Sequence, residues 1–221
     1  GYERWWEARK LWGGITNQIR NLVVGGLNYG PHDSAWQEAL VKWAITFAFA
    51  TKESLRNGND FTPLVGVLTE QEIGELKSAL HMPLFVSGKL AGLLQKARTG
   101  YSNTNGHQLD GFEFSILEGQ RALLIDHLGG CERILKTPMP LVYAVKIRRF
   151  IFMFLLLLPF SLIEKADFYT VGIFLLVAYP LLSLDQIGIE LQKPFNNKSL
   201  SHLPLDTICE AIKLQCLDLL K

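Results

Sequence analysis

The chain has 221 residues, enough to bury a sizeable core in one or two domains. Its 22 Lys and Arg nearly balance 21 Asp and Glu, so no overall field draws nucleic acid, and a nucleic-acid partner is not expected. With 48% hydrophobic residues, 19% charged residues and a mean hydropathy of +0.16, the chain is apolar beside soluble domains, which carry about 25% charged residues; part of it is expected in lipid.

The first 29 residues predict a helix, with Trp5, Trp12, Ile15, Ile19, Leu22 and Val23 recurring at helical steps. Three indoles, Trp5, Trp6 and Trp12, crowd among Glu3, Arg4, Glu7, Arg9 and Lys10, a mixture suited either to a surface helix or to the edge of a bilayer. The turn "NYGPHD" ends it. Ser34 with Gln37 reads as a capping box ahead of Trp36, Leu40, Trp43, Phe47 and Ala50, and Asn57-Gly58 closes that helix. Thr69 with Glu72 repeats the start signal for a short helix to about His81. Pro83 suits the first turn of a further helix to Gly100. "YSNTNGHQ" is a polar loop, and a long helical pattern then runs from Asp110 to Lys136, loosened late by Gly129 and Gly130. No alternating run long enough for a sheet occurs, so the fold class is all-α.

The composition then changes. Phe150 to Ile163 is free of charge for 14 residues and Phe168 to Leu184 for 17, with only "EKAD" between their polar boundaries. Both are slightly short of the ~20 residues that span a bilayer, although flanking Lys and Arg can snorkel. Eleven Leu, Ile and Phe in the first run favour insertion by about 3 to 6 kcal/mol at roughly 0.3 to 0.6 kcal/mol each. The expectation is a transmembrane hairpin over 144–187. Lys146, Arg148 and Arg149 before it and Lys193 and Lys198 after it place both ends in the cytoplasm. Pro159 and Pro180 fall inside the spans, where kinks are tolerated. The division expected is therefore 1–29, a helix leaving the membrane; 30–143, mainly cytoplasmic helices; 144–187, the hairpin; and 188–221, a cytoplasmic tail and helix.

Catalytic and metal-binding patterns are missing. Cys131, Cys209 and Cys216 are odd in number without a CxxC pairing, and read as reduced, buried thiols. His32, His81, His107, His127 and His202 are scattered, with no HExxH. No nucleophile and base share a motif, "GGLNYG" lacks the context of a phosphate loop, and the sequon at Asn197 falls on the cytoplasmic side. Neither an enzymatic activity nor a cofactor is expected.

Three stretches in order around the hairpin carry a resemblance. "YERWWEARKLWG", "CERILKTPMPLVYAVKIRR" and "LDQIGIELQKPFNN" followed by "LPLD" resemble the bestrophin family, particularly its bacterial and plant-type branch, over nearly the whole chain. The resemblance implies a pentameric channel, mainly anion-selective in animals and plants, with chloride or other small monovalent anions as permeant species and lipid around it. A multi-pass protein of the cell membrane, or of a thylakoid or plastid membrane in a photosynthetic source, follows. It also implies that the first membrane helix and the pore neck precede Gly1. Tyr2, Arg4, Trp5, Trp6, Glu7 and Arg9 would mark the exit from the membrane, with the two Arg near the cytoplasmic mouth or paired with neighbouring acids. Pro140, Tyr143, Pro194 and Phe195 would be structural motif residues. A second, cytoplasmic constriction would fall near Phe112 and Ile116, one helical turn apart. The animal calcium clasp is not expected, because Lys193 and Lys198 stand where carboxylates are needed. Asp206 reads instead as the cap of a last helix with an apolar seam of Ile208, Ile212, Cys216 and Leu219. The alternatives are a pore-free helical scaffold anchored in the membrane, and a bestrophin-like channel passing monovalent cations.

Overall fold

The computed structural model describes residues 1–100, 108–138, 141–166, 169–197 and 201–221. The eight α-helices described are α1 Tyr2–Tyr29, α2 Ser34–Arg56, α3 Glu70–Ser78, α4 Met82–Thr99, α5 Gly111–Lys136, α6 Leu141–Ala166, α7 Thr170–Glu190 and α8 Leu205–Asp218. A 3-10 turn over Thr62–Leu64 and an isolated bridge between Val65 and Leu68 complete the described elements, which include no strand. The chain divides into two units. One holds Gly1–Glu7 and Ile134–His202; the other holds Ala8–Arg133 and Leu203–Lys221.

In the larger unit, α2 is the core. Its expected face, Trp36, Leu40, Trp43, Phe47 and Ala50, is buried, and from Trp43 to Glu53 every residue is buried, because α4 and α8 both pack on it. The cap of α2 is Asp33 rather than Ser34: its carboxylate accepts from the Ala35 N–H at 3.3 Å, and a full negative charge suits the positive end of the helix better than a hydroxyl. At the other end Asn57 adopts the left-handed conformation at φ 52°, and its N–H returns to the last carbonyls. The capping box of Thr69 and Glu72 forms in full at the start of α3. That helix stops at Ser78 because His81 begins the next one, its Nδ1 accepting from Leu84 N–H at 3.2 Å while Nε2 meets Glu132 at 2.7 Å. Two ion pairs, Lys42–Glu72 at 2.6 Å and Lys89–Glu75 at 3.1 Å, tie α3 to α2 and α4.

α5 starts at a second reciprocal box: Glu113 N–H donates to Asp110 Oδ1 at 2.7 Å and Asp110 N–H to Glu113 Oε2 at 3.0 Å. Gly129 and Gly130 do not loosen it. The helix runs through both, and the bare Cα of Gly130 makes room for Leu11, whose Cδ2 lies 2.7 Å from where a β-carbon would stand.

α8 differs from expectation in two ways. Its cap position is Pro204, without a side-chain bond; Asp206 sits in the first turn and turns instead to α2. Its buried seam is Leu205, Cys209, Ile212 and Cys216, a shift that leaves Leu219 exposed, and the seam is spent on α2 of the same unit. Cys131, Cys209 and Cys216 are all buried and reduced, and burial pushes the Cys209 thiol up to about 12 and that of Cys216 to about 11.

In the smaller unit α6 and α7 pack on each other, with Arg148 Nε donating to Asp185 Oδ2 at 3.0 Å near one end. Both helices continue through their prolines, Pro159 and Pro180. Leu155 and Ala178 are buried, whereas most large apolar side chains remain outside: Phe160 is 74% exposed and Leu176 77%. Among the described residues α7 alone is long and apolar enough by composition to cross a membrane. α6 has 26 residues, but Arg148 and Arg149 on one side and Glu164 and Lys165 on the other confine its uncharged stretch to 14. Lys198, residues 101–107 with His107, Phe168 and Pro140 lie outside the described residues, as does the Tyr143 side chain.

Candidate functional site

The first turn of α1 gathers three distant backbone segments of the smaller unit. A helix leaves its last carbonyls without partners, and those oxygens attract cationic donors. Arg4 answers two such ends: Nη1 donates to the Thr137 carbonyl at 2.6 Å, just past α5, and Nε to the Gln192 carbonyl at 3.0 Å, just past α7. The planar fork of a guanidinium suits two acceptors in different directions, which a single ammonium does not. Desolvation holds Arg4 below the usual arginine range, with the charge of Glu7 opposing. Trp5 is half-buried and its indole N–H donates to the Ser201 carbonyl at 2.8 Å, anchoring the tail. Gly1 packs close to Gly188 and Leu191, so this turn sits at the C-terminal end of α7.

Tyr2 and Trp6 point the other way. Their rings stack at 6.5 Å with an interplanar angle of 8°, and both are exposed. Pro194 and Phe195 are buried, and the segment that carries them is held by turn bonds such as Asn196 N–H to the Lys193 carbonyl at 3.2 Å. The exit-motif residues Tyr2 to Glu7 thus share one unit with Pro194 and Phe195, whereas Arg9 is an exposed residue of the larger unit. The partners of Arg4 and Trp5 are main-chain oxygens. Sequence carries no signal for them, because every residue has one.

Phe112 and Ile116 lie in the larger unit on α5. They share one face, one turn apart, and are 83% and 53% exposed. The opposite face, Leu117, Leu124, Leu128 and Cys131, is buried. Close approaches at small residues set the register of α5 on α1: Gly25 against Leu117, Gly14 against the His127 ring, and Gly130 against Leu11. As α1 is followed backwards α5 is followed forwards, so the two are antiparallel and the Phe112–Ile116 face turns away from α1. Phe112 and Ile116 therefore present an exposed apolar surface on one helix face. Among the described residues no group of three or more His, Cys, Asp or Glu is placed to hold a metal ion.

Comparison with known proteins decides the family. The sequence pattern described as Bacterial/Fungal Bestrophin protein matches residues 1–218. The chain belongs to the bestrophin family. Among bestrophin relatives, a voltage-dependent anion channel-forming protein of Nostoc sp. is 33% identical over 222 residues, covering 99% of this chain and 70% of the relative. One from Synechocystis sp. is 31% identical over 224 residues, covering all of this chain and 71% of that protein. A crystal structure of a bacterial bestrophin homologue from Klebsiella pneumoniae superposes with a TM-score of 0.90 at 26% identity, over 99% of this chain and 79% of that one. The all-α class and the family resemblance carried by the RWW, PLVY and PF segments are both borne out by these bestrophin matches.

Proposed function

We propose that this chain is one subunit of a membrane-embedded anion channel, assembled as a ring of five around a central conduit, that passes chloride or other small monovalent anions. The observation that carries the reading is the outer surface of α6 and α7. Phe150, Phe152, Phe160, Leu176 and Tyr179 stand exposed on helices that already pack on each other, a surface far larger than water tolerates on a soluble protein. Lipid or a neighbouring subunit must cover it. In this arrangement Lys146, Arg149 and Lys193 lie on the cytoplasmic side of the hairpin, and the stacked Tyr2 and Trp6 meet the interface, where amphipathic rings are favoured.

The family membership and the naming of the Nostoc and Synechocystis relatives as anion channel-forming proteins support the anion. Phe112 and Ile116 serve as the cytoplasmic constriction: a ring of apolar side chains hinders hydrated ions and opens by wetting. Two of the Arg4 donors are engaged by main-chain carbonyls, which makes this guanidinium an anchor of the chain around it. The test is recording from planar bilayers with chloride replaced by a large organic anion, together with the mass of the detergent-solubilised particle. Chloride-dependent current from a particle of five chains is expected. A well-folded assembly that passes no current under any ion gradient overturns the reading in favour of a pore-free scaffold.

A further inference from the structure

The exposed face of α5 continues well past the constriction, and its composition says what it faces. From Phe112 it runs through Ser115, Ile116, Gly119, Ala122 and Leu123, all exposed, with Phe112, Ile116, Gly119 and Leu123 following one another at the steps of four and three that keep one stripe in line along the helix. No charge interrupts it for about three turns. Then comes Asp126, exposed in the middle of the same stripe, with no ion pair or hydrogen bond to any described residue. The other charges of this part of α5 are off the stripe or engaged. Glu113 is bound in the helix cap, Glu118 is paired with Arg121, and Arg133, two turns further on, has contacts of its own.

An apolar helix stripe can be covered by a neighbouring copy or can line water, and Asp126 separates the two. Neighbours in a ring run in the same direction, so α5 against α5 would bring Asp126 towards Asp126, with no cation on the stripe from Phe112 to Gly129 to pair with it. Burying an unpaired carboxylate costs several kcal/mol, more than the adjacent Ala122 and Gly119 contacts could offset. Water is therefore the neighbour that Asp126 tolerates.

We infer that Asp126 is a selectivity-setting residue: repeated by the assembly, it forms a ring of carboxylates on the wall of the conduit beyond the Phe112–Ile116 constriction. The inference rests on the channel reading given above. The wall then has a graded profile, narrow and apolar at Phe112 and Ile116, wider at Gly119 and Ala122, and negatively charged at Asp126. Negative charge there concentrates cations and depletes anions, so it opposes anion flow and limits the discrimination that the rest of the pore establishes.

The experiment is the reversal potential under a salt gradient for the full-length protein in planar bilayers, compared with Asp126→Asn and Asp126→Lys. Asp218→Asn, an exposed acid at the end of α8, is the control. Permeability to chloride relative to potassium is expected to rise several-fold in Asp126→Asn and further in Asp126→Lys, and to stay unchanged in Asp218→Asn. Should the lysine variant fail to assemble, the near-isosteric asparagine still reads the effect. Conducting channels with one reversal potential across all four proteins overturn the role of Asp126 and leave the channel reading standing. Absence of current in the unsubstituted assembly overturns both.

Discussion

The Lys52 ammonium and the Asp206 carboxylate meet at 2.9 Å across 154 positions of chain, and Arg56 reaches the second carboxylate oxygen at 2.7 Å. Lys52 is 4% exposed and also contacts Glu53 at 3.1 Å, so the cluster pins the start of α8 to the end of α2 with a cation the core could not otherwise hold. Burial alone would raise Asp206; the hydrogen bonds and charges of Arg56 and Lys52 more than offset that, and its pKa is held down to about 2.

A depressed folded-state pKa contributes stability that is present above the unfolded value near 3.8 and is lost as pH falls towards about 2. Because the Asp206 side chain is 61% exposed, solvent screening limits the contribution to about 1 kcal/mol. Asp206→Asn is expected to cost that much at pH 7. It is also expected to remove the part of the acid destabilisation between pH 4 and pH 2 that this group causes, as read by thermal midpoints in detergent across that range.

The guanidinium fork of Arg4 predicts a difference between two substitutions. Arg4→Ala is expected to cost about 2 kcal/mol, since hydrogen bonds to charged groups contribute about 1.5–3 kcal/mol and these are partly exposed. Arg4→Lys keeps the charge but serves one carbonyl, and recovers less than half. Hydrogen exchange at residues 191–197 reads both: faster exchange in Lys and faster still in Ala is expected, and wild-type protection in Arg4→Lys argues against the fork.

Two glycines should respond in opposite directions to the same change. At Gly30 a β-carbon runs into the Gly26 carbonyl and the Trp36 ring, and backbone cannot step aside, so Gly30→Ala is expected to cost about 1–3 kcal/mol. At Gly88, within α4, a β-carbon meets open space, and Gly88→Ala is expected to gain about 0.5–1 kcal/mol from helix propensity. Thermal midpoints of the two variants, compared side by side, check the packing at the start of α2.

In the proposed channel Ile116 lines the constriction, and Ile116→Thr is expected to raise single-channel conductance several-fold while leaving stability nearly unchanged, because its side chain is exposed rather than part of the core. Leu117→Thr, one residue on and fully buried, should do the reverse: about 1–3 kcal/mol of lost stability, from a hydroxyl without a ready partner in an apolar site. Recordings and thermal midpoints on the same preparations separate the two.

Most of the helices were legible because each carries a periodic apolar face bounded by a recognisable stop or start. Thr69 with Glu72, Pro83 and the Asn57 end all behave as local chemistry dictates. The misreadings share a cause. Ser34 lost the cap to Asp33, one residue earlier, because two good capping residues stood side by side and charge decided between them. Asp206 looked like a cap because Asp favours that position, but two cations from α2, out of sight in the sequence, offered better partners. The seam on α8 moved by one residue for the same reason: which of several apolar positions faces inward depends on where α2 lies.

The sequence by itself determined the helical class, the approximate extent of most helices, the apolar pair at 150–163 and 168–184, and the family, since all of these follow from neighbours within a few turns of one another. Tertiary structure alone decided that Arg4 caps the ends of two other helices, that Lys52 is buried against Asp206, and that Asp126 shares a bare face with Ile116. A hydrogen bond to a carbonyl 133 or 188 residues away leaves no trace in composition. Whether a helix stripe meets core, lipid or water depends on what the rest of the chain has already covered.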